Sequence, residues 1–159
     1  MRMNQGVEWT LHVLLTLAWV EDGTPVRADA LAEAHDLPRD YLVKQLQALV
    51  RAEVLESVPG ARGGYRLARP ADRITLMDVV AAIEGPQDAF RCTEIRQQGV
   101  GAALPKAAFS APCAISTSMR KAELAYRREL AGQTIADLCA EVDRYAPAAR
   151  GVTLRAYGR

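Results

Sequence analysis

The stretch that decides the fold is ADALAEAHDLPRDYLVKQLQALVRAEVLESVPGARGGYRLARP, residues 28–70. Its first part reads as a short helix, about Ala28 to His35, with Leu31 and Ala32 facing inward. Asp36-Leu37-Pro38 is a tight turn, with Pro38 suited to a helix start. A second helix then runs from about Pro38 to Glu53, its inward positions Leu42, Leu46, Leu49 and Val50 recurring at helical spacing. At Val54 the period changes. Val54 to Val58 reads as a strand, residues 59–64 as a glycine-rich tip and Tyr65 to Ala68 as the returning strand, which together make a β-hairpin. Two helices joined by a short turn and followed by a hairpin form a winged helix-turn-helix.

Working outward, Val7, Leu11, Leu14 and Ala18 form a core stripe on a preceding helix, Val7 to Trp19, which the turn at residues 21–25 ends. Downstream, Thr75 is the N-cap of a helix from Leu76 to Ile83, stopped by Gly85-Pro86. Residues 87–113 have no clear period and are rich in Gly, Ala and Pro, a length of loop that is usually functional or disordered. A long helix, Ala114 to Leu130, carries Ile115, Met119, Ala122 and Tyr126 on one stripe. A last helix runs from the cap Thr134 to Tyr145. The expected fold is mainly α: a winged helix-turn-helix domain (1–86), a metal-binding loop (87–113), dimerisation helices (114–146) and a loose tail (147–159).

Charge agrees with this layout. The 159 residues carry a net charge of +1, so no polybasic tail dominates the chain. Residues 1–86 are net −3, yet residues 39–73, the second helix and the hairpin, are net +3. Positive charge is therefore concentrated where a DNA phosphate backbone would need it. The recognition helix enters the major groove by its N-terminal end, which places Arg39, Asp40, Tyr41 and Lys44 as candidate DNA contacts. Arg62 at the hairpin tip can reach a minor groove. Ile115, Met119, Ala122 and Tyr126 are candidate dimer contacts, since the winged part already has its own core. The longest apolar run, Leu11 to Val20, is too short for a membrane span and lacks the marks of a secretion signal. No nucleophile–base pair, phosphate loop or HExxH motif is present. The expectation is a cytoplasmic DNA-binding protein, not an enzyme, with double-stranded DNA and a second copy of itself as partners and no membrane or substrate.

Three cysteines are too few for a disulfide scaffold. Cys139 lies on an apolar stripe with Ile135, Leu138 and Val142 and reads as core. Cys92 and Cys113 lie in loop, where no periodic stripe explains them. Glu8 and His12 are four residues apart, so both lie on one face of the first helix, a face that continues to Leu15 and Trp19. Two loop thiols with one Glu–His pair give four donors, the count of a [2Fe–2S] cluster and equally of structural zinc. Spacing alone leaves both metals open.

The text Gly63-Gly64-Tyr65-Arg66-Leu67-Ala68-Arg69-Pro70, followed by Ile74-Thr75-Leu76-Met77-Asp78-Val79-Val80-Ala81-Ala82-Ile83-Glu84-Gly85-Pro86, resembles the Rrf2 family of winged-helix transcription regulators. Val7-Glu8-Trp9 with Leu11-His12, and Cys92-Thr93-Glu94-Ile95-Arg96-Gln97, resemble the redox-sensing RsrR type within it. The resemblance implies a homodimeric DNA-binding regulator holding a [2Fe–2S] cluster, with Glu8, His12, Cys92 and Cys113 as ligands drawn from two subunits. The three grouped cysteines of the IscR and NsrR types are absent from this loop. The implied ligand set brings an oxidised cluster to a formal −1 rather than −2, which eases electron addition, as histidine ligands do in Rieske centres. Trp9, next to Glu8, is a candidate for the side chain that repacks on reduction; it equally suits a plain core or interface role. The alternative is a winged-helix regulator without a cluster, switched by thiol oxidation or a small ligand.

Overall fold

A computed structural model describes residues 3–20 and 23–158. Helix α1 (Gln5–Trp19) starts at Asn4, whose side chain accepts the Gly6 N–H at 2.7 Å. Helices α2 (Ala28–Ala34) and α3 (Arg39–Arg51) follow, joined by the expected short turn. Strands β1 (Leu55–Val58) and β2 (Gly64–Leu67) pair antiparallel with Leu55 opposite Leu67 and Val58 opposite Gly64. Helix α4 (Leu76–Glu84) begins in a capping box, in which Thr75 and Asp78 satisfy each other's backbone N–H groups. The apolar stripes meet as their spacing requires. Leu14, Leu31, Leu42, Leu46, Leu49, Val54, Ile74 and Val79 are fully buried in one core.

The hairpin is tied down by a connection that its own pattern does not announce. Val26, just ahead of α2, bridges Tyr65: each N–H donates to the other's carbonyl, at 2.9 and 2.8 Å. This close approach explains Gly64. A Cβ there would come 2.3 Å from the Val26 carbonyl oxygen, and at Gly63 one would come 2.1 Å from that of Val58. Backbone occupies the space a side chain would need.

Two compact units divide the chain, and the division departs from the expected one. Gln87–Glu129 forms one unit; the winged-helix residues up to Pro86 and those from Leu130 onward form the other. Helix α5 (Ala114–Ala131) lies mostly in the first. Helix α6 (Ile135–Tyr145) belongs to the winged unit and not to the unit that holds most of α5. Ile135 is fully buried in the core, its N–H donates to Ile74 O, and the N–H of Leu76 donates to Gln133 O. The tail expected to be loose instead forms helix α7 (Ala148–Ala156), which packs on α1 and α6; Leu154 and Tyr157 lie against the core. The loop over residues 87–113 is also ordered, as three short 3-10 turns: Ile95–Gln97, Gly99–Ala103 and Lys106–Phe109. Among the described residues no helix is long and apolar enough to cross a membrane.

Candidate nucleic-acid interface and metal ligands

The N-terminal end of α3 is exposed, as a recognition helix requires. Arg39, Asp40, Tyr41 and Lys44 all lie at the surface, and so does Arg62 at the hairpin tip. Their surroundings differ. Arg39 is held by two carboxylates, Asp29 of α2 through Nε and its neighbour Asp40 through Nη1 at 3.2 Å. Its charge is thus aimed by α2, and the Arg39 guanidinium, with that of Arg27, holds the Asp29 carboxyl below the usual range. Tyr41 is turned toward α1. Its hydroxyl donates to Asn4 Oδ1 at 3.2 Å, and its ring meets Trp9 edge-to-face with centroids 5.2 Å apart. Arg27 belongs beside this group. It pairs with Asp29 at 3.1 Å and reaches the Ala61 carbonyl of the wing tip at 3.5 Å. Sequence reasoning passed over it because the residues before α2 looked like plain turn; the apolar Val26 after Pro25 was the one signal that a strand-like segment precedes the helix.

Contacts at the start of α1 join it to α3. Asn4 Oδ1 accepts from both Gly6 N–H and Tyr41, and the Asn4 N–H donates to Glu84 of α4. A Cβ on Gly6 would meet Gln45 of α3 at 2.9 Å. Trp9 is half-buried against Tyr41.

Glu8 and His12 are both exposed on α1, whereas Leu15 and Trp19, on the continuation of the same face, are buried. The face changes character along its length because α6 and α7 pack against α1. His12 has a neighbour that spacing did not suggest: the ring of His35, at the C-terminal cap of α2, lies 6.0 Å away. His35 Nε2 is 3.4 Å from Thr16 Oγ1, and burial, with the His12 charge beside it, makes His35 harder to protonate than an ordinary histidine.

In the other unit Cys92 and Cys113, separated by 20 residues, come together. Cys113 occupies the N-cap position of α5, since its carbonyl accepts the Thr117 N–H at 2.9 Å. Its thiol is lowered from the ordinary range by the backbone N–H of Ser116 first, and further by that of Ile115, a hydrogen bond with Cys92 and the charge of Arg96. Thiolates at a helix N-terminus are stabilised in this way. Cys92 is exposed, and its thiol lies 3.9 Å from Glu94 Oε1. A pair of adjacent sulfurs suits one iron of a [2Fe–2S] cluster, or zinc, by the softness of its donors. Among the described residues no group of three or more His, Cys, Asp or Glu is gathered at one point, so the chain offers two donor pairs: two sulfurs, and one carboxylate with one imidazole. Cys139 stands apart, packed partly buried on the core, and burial pushes its thiol up to about 11.

Helix α5 has no buried residue. Ile115 is 65% exposed and Met119 43%, Ala122 is exposed, and Tyr126 is half-buried.

Comparison with known proteins places this arrangement. The family described as Rrf2, iron-dependent transcriptional regulator, matches residues 3–141. A Mycobacterium tuberculosis (strain ATCC 25618 / H37Rv) protein named as HTH-type transcriptional regulator Rv1287 is 34% identical over 134 residues, covering 84% of this chain and 78% of its own. CymR (YrzC), described as the global cysteine regulator of B. subtilis, has the same fold, with a TM-score of 0.66 at 23% identity over 89% of this chain and 98% of its own. IscR of T. potens superposes with a TM-score of 0.67 at 19% identity, over 92% and 91% of the two chains.

Proposed function

This chain belongs to the Rrf2 family of DNA-binding, non-enzymatic transcriptional regulators, and from that premise we propose that it is a redox-sensing member that binds operator DNA as a homodimer under the control of a [2Fe–2S] cluster. The observation that carries the cluster is the adjacency of the Cys92 and Cys113 thiols at the N-terminus of α5. Cys92 and Cys113 of one chain would hold one iron, and Glu8 and His12 of the partner chain the other, as in the RsrR type that the sequence resembles. When bound, the cluster supplies a one-electron couple.

The protein's own residues supply the rest. Trp9, adjacent to Glu8, touches Tyr41 of the recognition helix directly, and Asn4 ties Tyr41 to the α1 N-terminus. A change in how Glu8 is held thus reaches α3 through the neighbouring Trp9 and its contact with Tyr41. Arg39, Lys44 and the wing residue Arg62 would meet DNA, with Arg27 beside them and Asp29 orienting Arg39. The stripe on α5 would pair the two chains.

The test is iron and sulfide content with an absorption spectrum on protein purified without air. Cys92→Ala and Cys113→Ala should each lose the cluster, because no neighbouring thiol can substitute, while Cys139→Ala should keep it. A full cluster in Cys92→Ala overturns the ligand assignment. The same thiol adjacency favours a second reading, in which a peroxide takes two electrons and two protons from Cys92 and Cys113 of a cluster-free regulator, leaving a disulfide and water; iron-free protein that loses two titratable thiols per chain on peroxide treatment would select it.

A further inference from the structure

The segment between Cys92 and Cys113 is organised around Arg96. Arg96 Nε donates to Glu94 Oε2 at 2.7 Å, and Nη2 donates to the carbonyl of Ala111 at 2.8 Å. The guanidinium carbon lies 5.5 Å from the centroid of the Phe109 ring. Glu94 follows Cys92 by two residues and accepts from its thiol through Oε1 at 3.9 Å; Ala111 precedes Cys113 by two residues. One planar cation therefore grips both ends of the loop next to its two sulfurs. The grip is built in rather than casual. Gln97 Nε2 donates to the same Glu94 oxygen at 3.3 Å, and a Cβ on Gly101 would come 2.0 Å from the Arg96 carbonyl oxygen, so the chain closes tightly over this residue. Glu94 itself is in the left-handed region (φ 54°), which a non-glycine residue keeps only where its surroundings dictate it. The Arg96 side chain is 28% exposed. An arginine fork can make these two divergent bonds and stack on a ring at once; a lysine cannot.

We propose that Arg96 is a positioning residue for the two-thiol site, setting the separation of Cys92 and Cys113 through Glu94 and Ala111 and placing a fixed positive charge beside both sulfurs. This rests on the reading of Cys92 and Cys113 as ligands. It adds that the charge favours electron gain by a metal centre held there, because the reduced centre is the more negative state. Glu94 first, and the two thiols after it, stabilise the Arg96 cation.

The experiment has two arms on the full chain in a Cys139→Ala background. In the first, the reduced, cluster-free protein is titrated with phenylarsine oxide, which needs two thiols within reach. Two S–H bonds are lost, two As–S bonds form and the arsenic oxygen leaves as water. The parent should bind one arsenical per chain. Arg96→Gln and Arg96→Lys should each bind it at least tenfold more weakly, with unchanged circular dichroism. Parent-like affinity in both overturns the positioning role. In the second arm, anaerobic cluster-loaded protein is reduced stepwise with dithionite. Arg96→Gln should show roughly a tenfold lower reduced-to-oxidised ratio at a given potential, about 59 mV for one electron. Arg96→Lys should recover most of it, and equal potentials in parent and Arg96→Gln overturn the charge role. If the parent holds no iron, the cluster reading fails while the arsenical arm still decides what Arg96 does to the thiol spacing; Arg96→Lys serves that arm should Arg96→Gln misfold.

Discussion

Cys113 and Cys139 have opposite chemical settings, and these set how each thiol reacts. Cys113 caps α5, where the N–H of Ser116 and its neighbours favour the thiolate. Cys139, on α6, is packed on the core, and burial raises it to about 11. Since the thiolate is the nucleophile, at pH 8 only roughly one Cys139 in a thousand is reactive. Iodoacetamide added to reduced, cluster-free protein at pH 8 should therefore label Cys113 well ahead of Cys139, as followed by peptide mass mapping; equal rates would contradict these placements. The sequence placed Cys139 correctly because its partners Ile135, Leu138 and Val142 recur at helical spacing. It singled out Cys92 and Cys113 as loop thiols that no stripe explains, and through the resemblance that residues 92–97 carry. It did not mark Arg96 as their organiser. Glu94, Phe109 and Ala111 reach Arg96 through three 3-10 turns, whose few residues carry no period that a pattern could reveal.

Elements with a repeat and a cap were legible; those held by isolated contacts were not. Thr75 and Thr134 each announce a helix, and both form full capping boxes. Helix α3 and the hairpin were found within a few residues of their ends because the apolar period changes at Val54. Helix α7 was missed because only Leu154 and Tyr157 meet the core, too sparse a pattern to read. The Val26–Tyr65 bridge was missed because a single residue has no alternation. That bridge makes the wing sensitive to one substitution. Gly64→Ala puts a methyl 2.3 Å from the Val26 carbonyl oxygen and should destabilise the protein by more than about 1 kcal/mol in urea unfolding. Gly60→Ala at the hairpin tip, with nothing within 4 Å of its Cβ, should cost only the strain of its positive φ, about 1 kcal/mol. Comparable midpoints for the two variants would show that the wing is not anchored at Val26. On DNA, Lys44→Ala should lower the salt dependence of operator binding by about one ion if it meets phosphate. Arg62→Ala should cost about 1–3 kcal/mol if the wing reads a base edge. Wild-type binding by both would move the recognition surface elsewhere.

Across the whole chain, the core of the winged unit is assembled from both ends of the sequence, with α1 to α4 closed by α6 and α7, and residues 87–129 are inserted between its two parts. Ile135, Leu154 and Tyr157 return to the first core, whereas α5 has no fully buried residue. Ile115 and Met119 are exposed on a helix whose other faces carry Arg120, Lys121, Glu123, Arg127 and Arg128. A second copy of the same helix would cover that stripe, and a helix-turn-helix dimer needs such a spacer to set its recognition helices about 34–36 Å apart on two half-sites. Ala122 lies in the middle of the stripe and is exposed. Ala122→Glu would place an unpaired carboxylate there from each chain. Burying one such charge without a partner costs on the order of 3–5 kcal/mol, which corresponds to a dimer dissociation constant at least about a hundredfold higher. The variant should sediment as a monomer at micromolar concentration and lose specific operator binding. Its helical circular dichroism should persist, because Ala122 belongs to the Gln87–Glu129 unit and not to the winged core. A dimer of wild-type stability would show that another face joins the chains. The proposed sharing of a cluster between two chains would then need a different dimer.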